Sequence, residues 1–247
     1  MDLHLEGRTA LVCGASAGIG LGVAEALAGE GANVVMFARS PEPLEREAER
    51  LGGIAVPGDV MSADDLGRLV RTAVDTFGGI DILVNNSGGP PRAPAVGLDA
   101  EQVETAVRLL LVSVVRLTGL CLPYLEQSEC GRIVNITSST VKEPTDDLVL
   151  SNAVRPGVIG WAKSLSRELG PKGITVNSIA PGWIDTERLR EVNPEGPTEG
   201  DLRTIPLRRL GKPREIGDVV AFLCSDRAAY ITGTVVSVDG GLVRGLL

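Results

Sequence analysis

The sequence predicts an α/β fold: one domain built on a doubly wound parallel sheet of about seven strands. Three observations lead there. Short, uncharged, β-branched runs alternate with longer segments of helical spacing along the whole chain. The first run, residues 9–13, passes directly into a turn holding Gly14, Gly18 and Gly20, and then into a helical pattern over 21–28. No repeat, low-complexity tract or linker interrupts the 247 residues, so residues 1–247 read as a single domain.

The remaining elements follow in order. Residues 33–38 form the second strand, which stops at Arg39, and 41–51 is a charged amphipathic helix. Residues 54–56 are a third strand leading into Gly58-Asp59-Val60. A helix over 63–77 is stopped by Gly78-Gly79. The fourth strand, 80–84, closes on Asn85-Asn86-Ser87-Gly88, and a loop with Pro90, Pro91 and Pro94 leads to a long helix from about 99 to 126. Residues 131–136 are the fifth strand. Pro156 lacks an N–H and disfavours helical angles at Arg155, so 151–155 is expected as a loop and the next helix as 156–169. The sixth strand is 174–179. Residues 187–206 are rich in proline and glycine without a period and read as a mobile substrate lid. A helix over 213–224 and a strand over 234–238 complete the chain.

Composition removes several functional classes. A net charge of −8 disfavours a nucleic-acid surface or an anionic membrane as partner. No apolar run reaches the ~18 residues of a membrane span, and the first residues lack a signal-peptide layout, so the expected location is cytoplasmic. Cys13, Cys121, Cys130 and Cys224 are scattered and His4 is the single histidine; no metal site and no histidine-based triad is expected.

A strand, a glycine turn and a helix together suit phosphate binding, because backbone N–H groups at a helix N-terminus accept an anion only where no Cβ blocks its approach. The turn has the spacing Gly14-x-x-x-Gly18-x-Gly20. Further along stand Asp59-Val60, Asn85-Asn86-Ser87-Gly88, Gly131-Arg132-Ile133-Val134-Asn135-Ile136, Pro181-Gly182 with Thr186, and Tyr230-Ile231-Thr232-Gly233 before Val238-Asp239-Gly240-Gly241. With these motifs the chain resembles, over essentially its whole length, the short-chain dehydrogenase/reductase family, and in particular its bacterial 3-oxoacyl-acyl-carrier-protein reductase-like members.

The resemblance implies a Rossmann-type sheet, a bound dinucleotide, a small-molecule substrate and a homo-oligomer, tetramer or dimer. It implies that Gly14, Ser16, Gly18, Ile19 and Gly20 cradle the pyrophosphate and that Asp59 and Val60 meet the adenine. Asn86 and Gly88 would run along the cofactor, and Pro181, Ile184 and Thr186 would hold the nicotinamide end. At the end of the second strand an acid would favour NAD, whereas Arg39 favours the 2′-phosphate of NADP. NADP is therefore expected over NAD.

The catalytic positions depart from the family, which uses Asn, Ser, Tyr and Lys. No Tyr-x-x-x-Lys occurs in this sequence. Outward from Gly157-Val158-Ile159-Gly160, Ser151 falls at the tyrosine position and Arg155 at the lysine position. Ser138 falls at the serine, and Leu110 at the asparagine. A serine hydroxyl is a far weaker acid than a phenol of pKa ~10, and an arginine stays protonated and relays no proton, so the resemblance leaves Arg155 the role of bonding the cofactor's ribose hydroxyls or supplying positive potential. The two tyrosines, Tyr124 and Tyr230, are expected to pack as structural residues. Arg92, Lys142, Asp146, Asp147, Trp183 and Arg188 are candidates for substrate contact. The expected function is an NADP(H)-dependent oxidoreductase interconverting carbonyl and hydroxyl with an atypical site. A dinucleotide-binding protein without redox turnover, and non-redox elimination or cyclisation in the same pocket, remain as rivals.

Overall fold

A computed structural model describes residues 2–246. At the centre of the sheet, β1 (Thr9–Cys13) is buried along its whole length between β2 (Asn33–Ala38) and β4 (Ile82–Asn85). β3 (Ile54–Pro57) lies beyond β2, while β5 (Arg132–Ile136), β6 (Thr175–Pro181) and β7 (Val235–Val238) extend the other side. The order is β3-β2-β1-β4-β5-β6-β7 and every pairing is parallel. The chain winds outward from β1 to β3, then crosses back to β4. The switch point of a doubly wound sheet therefore falls between β1 and β4.

Side chains alternate between the two faces of β1. Ala10 and Val12 belong to one hydrophobic cluster, Leu11 and Cys13 to the other. The first cluster is completed by α1 (Gly18–Gly29), α2 (Pro41–Leu51) and α9 (Pro213–Cys224), through Val23, Leu27, Leu44, Ile216 and Val220. The second is covered by α3 (Ala63–Phe77), through Leu66 and Leu69, and by the long helices described next. Helices α1 and α9 meet backbone to backbone. A Cβ on Gly217 would lie 2.1 Å from the Gly22 carbonyl oxygen, and one on Gly22 would lie 2.5 Å from the Pro213 carbonyl carbon.

The expected long helix is continuous but not uniform. α4 (Ala100–Val107) runs through a π-helical turn, Arg108–Val112, into α5 (Ser113–Leu125). The widened turn shifts the register by one residue, and the Ser113 hydroxyl donates to the Leu109 carbonyl at 2.5 Å. By length and composition this helix is apolar enough to cross a membrane. Its inner side instead carries Leu117, Cys121 and Leu125 into the second cluster, while Val112, Val115 and Leu120 remain more than a third exposed.

The expected helix start at Pro156 is wrong. α6 runs Val149–Leu169 with Pro156 inside it, so Ser151 and Arg155 are both helical. Pro156 supplies no N–H for the Asn152 carbonyl, yet the helix persists because Leu150, Val154, Val158 and Ala162 recur every four residues and all are buried. Packing outweighs one missing hydrogen bond. The segment expected as a structureless lid carries two short helices, α7 (Glu187–Val192) and α8 (Glu199–Thr204). Tyr124 is partly buried against the second cluster, whereas Tyr230 is fully exposed and does not pack.

The close approach of α1 and α9 generates a test. Gly217→Ala should destabilise the fold by about 1–3 kcal/mol, because the new methyl group meets backbone rather than a movable side chain. Gly160→Ala, at an exposed α6 position with nothing within 4 Å, should be neutral or stabilising. Thermal melts of the two variants check this; equal melting temperatures would contradict it.

Candidate active site

A cleft of about 500 Å³ opens at the C-terminal ends of the strands. Each strand end from β1 to β5 contributes a wall. Gly14 and Ser16 follow β1, Arg39 and Ser40 follow β2, Gly58 and Asp59 follow β3, Asn86 and Gly88 follow β4, and Ile136 and Thr137 end β5. Thr186 and the start of α7 close the far side.

The glycine turn is built by exclusion. A Cβ on Gly20 would lie 2.1 Å from the Gly14 carbonyl oxygen, so α1 can begin only this close to β1 if that residue is glycine. Gly14 and Gly18 have φ of +63° and +56°, the left-handed region that glycine tolerates. A Cβ on Gly14 would also strike the Asn86 amide, 2.6 Å away. That amide donates to the Cys13 carbonyl at 3.1 Å and ties the ends of β1 and β4 together across the switch point. Ala17, the N-cap of α1, offers no side-chain cap, and Gly18 and Ile19 face the cleft. The first-turn N–H groups thus have no side-chain acceptor. Cys13, directly before the turn, is fully buried, and desolvation pushes its thiol up to about 12, which makes it inert packing.

At the adenine side of the expected layout, Asp59 accepts the Met61 N–H at 2.9 Å, and the Asp59 N–H donates to Asp65 at 3.0 Å. That backbone hydrogen bond is the main cause holding the Asp65 carboxyl below its usual range. Arg39 is exposed at the cleft rim and forms no ion pair among the described residues.

Of the residues singled out from the sequence, Gly14, Ser16, Gly18, Ile19, Arg39, Asp59, Val60, Asn86, Gly88, Arg155 and Thr186 line this one cleft. Gly20 is buried behind the turn. Pro181 and Ile184 are buried beside the cleft without lining it, and Ser138 and Ser151 do not line it either. Among the candidates for substrate contact only Arg188 is a lining residue. Ser87 and Ile136, named within motifs but given no role, line the cleft as well, and so do Thr137 and Leu109, which were not named. Thr137 directly follows the motif that ends β5. Leu109 carries no such signal: the π turn presents it to the cleft and buries Leu110 against Leu150 and Val154.

The two serines are linked through Thr140. The Ser138 hydroxyl oxygen accepts the Thr140 N–H at 3.2 Å, capping a short 3₁₀ turn over Ser139–Val141. Ser151 is buried, and its hydroxyl shares a 3.0 Å hydrogen bond with that of Thr140. Ser138 therefore keeps its proton free to donate, whereas Ser151 already has a buried partner. One turn further along α6, Arg155 is only 8% exposed, and its Nη1 donates to the Ile136 carbonyl at 3.2 Å. Desolvation lowers the pKa of its guanidinium to about 10, still charged at neutral pH.

Comparisons with known proteins agree with this geometry. The family described as enoyl-(acyl-carrier-protein) reductase matches residues 14–243. The 3-oxoacyl-[acyl-carrier-protein] reductase of Vibrio cholerae is 38% identical over 97% of this chain and 99% of its own. That of Escherichia coli is 36% identical with the same coverage. Among solved structures, L-sorbose reductase from Gluconobacter frateurii, complexed with NADPH and L-sorbose, superposes with a TM-score of 0.92 at 30% identity over both whole chains. YwfH, an NADPH-dependent reductase involved in bacilysin biosynthesis, matches with a TM-score of 0.92 at 28% identity, over 97% of this chain and 99% of its own. With its seven-stranded parallel sheet, its glycine turn at the switch point and relatives of this similarity over nearly its full length, the chain belongs to the short-chain dehydrogenase/reductase family.

Proposed function

We propose that the chain is an NADP(H)-dependent oxidoreductase that interconverts a carbonyl and a hydroxyl in a small molecule, with a rebuilt proton-delivery site. The observation that carries this reading is the glycine-walled cleft with Arg39 at its rim. Space where a Cβ is forbidden, uncapped N–H groups of α1 and a cation that forms no ion pair among the described residues suit a dinucleotide bearing an extra phosphate. The bound nicotinamide supplies or accepts the hydride. Gly14, Ser16, Gly18, Ile19 and Gly20 hold or shape the pyrophosphate site. Arg39 takes the 2′-phosphate, Asp59 and Val60 flank the adenine, and Asn86 and Gly88 run along the middle. Thr186, with Pro181 and Ile184 behind it, supports the nicotinamide end. Residues 187–206 act as a lid, since Glu187, Arg188 and Glu191 already form part of the cleft wall.

At the reacting end, Ser138, next to the lining residue Thr137 though not itself in the cleft wall, donates a hydrogen bond to the substrate oxygen, its own lone pair being held by the Thr140 N–H. Ser151 positions Thr140 and does no proton transfer. The proton comes from water or from a group of the substrate, because neither tyrosine serves: Tyr124 sits in a hydrophobic cluster and Tyr230 is fully exposed before β7. The absent Tyr and Lys favour a second reading, a dinucleotide-binding member without redox turnover.

The experiment is deuteride transfer from 4-deuterated NADPH to a panel of carbonyl compounds, with product label read by mass spectrometry. Label in a product is expected, and Ser138→Ala should lower its rate by ~10²–10³ while Ser151→Ala costs little. Label nowhere in the panel, with NADPH bound, favours the second reading. Loss of activity in Ser151→Ala with Ser138→Ala spared overturns the roles.

We also propose that the chain assembles with copies of itself through the π turn and α5, where Val112, Val115 and Leu120 present an apolar face to solvent. Sedimentation at micromolar concentration should show a dimer or tetramer; a monodisperse monomer contradicts it.

A further inference from the structure

Among the described residues, Arg155 is a cation with no counter-charge. It sits in the cleft wall with Leu109, Ile136 and Thr137, and its single hydrogen bond runs to a neutral carbonyl. Its Nε is buried without a partner, and among the described residues no carboxylate lies within ion-pair distance. Burial alone accounts for its lowered pKa, with no acid contributing. The acids lining the cleft are otherwise placed. Asp59 accepts the Met61 N–H, Glu191 pairs with Arg188, and Glu187 is exposed. An isolated buried charge is strongly unfavourable unless something opposite in sign meets it. A neutral ligand such as a ribose diol satisfies the N–H groups and leaves the charge; an anion satisfies both.

The dinucleotide's own phosphates are in the wrong place to do this. Arg39 follows β2 and Arg155 reaches over the end of β5. Those strands are three positions apart in the sheet, roughly 14 Å at ~4.8 Å per strand. The glycine turn after β1 lies between them. We propose that Arg155 binds a carboxylate of the substrate, so that the molecule this cleft turns over is an oxo- or hydroxy-acid and not a neutral ketone. The planar guanidinium grips a carboxylate with two parallel hydrogen bonds, which the point charge of a lysine does not. This rests on the dinucleotide placement proposed above, and it names the substrate class for that same site.

The test uses two probes of nearly the same shape, butyrate and butyramide. They are titrated by ligand-observed NMR into the full chain with and without saturating NADP⁺. The wild type should bind butyrate at least tenfold more tightly than the amide. Arg155→Gln should erase that difference, and Arg155→Lys should retain part of it. Equal affinities in the wild type overturn the proposal without recourse to any variant. So does a butyrate preference unchanged in Arg155→Gln, or a loss of NADP⁺ affinity in that variant while the preference persists. If butyrate is preferred through Arg155 but NADP⁺ does not bind, the carboxylate site stands and the dinucleotide reading falls.

Discussion

The structure depends on how closely the backbone of α1 approaches that of β1. Gly20 lies so near Gly14 that no side chain fits between them, and the same helix is held from behind by Gly22 against α9. Those two contacts fix where the N-terminus of α1 points. Because β1 adjoins the switch point, that N-terminus opens into the cleft. Asn86 completes the clamp by spanning to the Cys13 carbonyl, so the relative position of the β1 and β4 ends is set by a hydrogen bond as well as by sheet pairing. Moving any of these groups by the width of a methyl would displace the N-terminus of α1 from the cleft.

The other end of the cleft is held by different means. Ser138, Thr140 and Ser151 form a chain of hydroxyl and amide contacts that ties the end of β5 to α6. Arg155 adds a second tie through the Ile136 carbonyl. The elements therefore meet through small hydroxyls and a fixed cation, at the positions the sequence comparison assigns to the family's tyrosine and lysine. A fixed cation favours an anion that stays bound; it does not deliver a proton. On the reading proposed above, half of the cleft keeps the family's chemistry, and the other half exchanges proton transfer for positive potential.

Much of this was legible in the sequence because local signals and tertiary packing agreed. Uncharged β-branched runs gave β1 and β2, and Gly78 gave the end of α3. Proline at the first helical position marked the starts of α2 and α9. The failure at Pro156 came from weighing one residue above a period: Leu150, Val154, Val158 and Ala162 carry the helix past the proline. The motif residues of the cleft were readable through the resemblance to the family. Which neighbours line it was not, because a π turn rotates Leu109 into place and no sequence signal announces such a turn. Nor could spacing tell that Ser151 is satisfied by Thr140 or that Arg155 lacks a carboxylate. Both depend on what the third dimension brings near.

The central claim is that an intact NADP(H) site survives beside a rebuilt reacting end. Direct titration of the full chain with NADPH and with NADH tests it most simply, with Arg39→Ala as the paired variant. The account predicts saturable binding of both, NADPH at least tenfold tighter, and a gap that closes when Arg39 is removed. No binding of either, or an NADH preference that Arg39→Ala leaves unchanged, would contradict it.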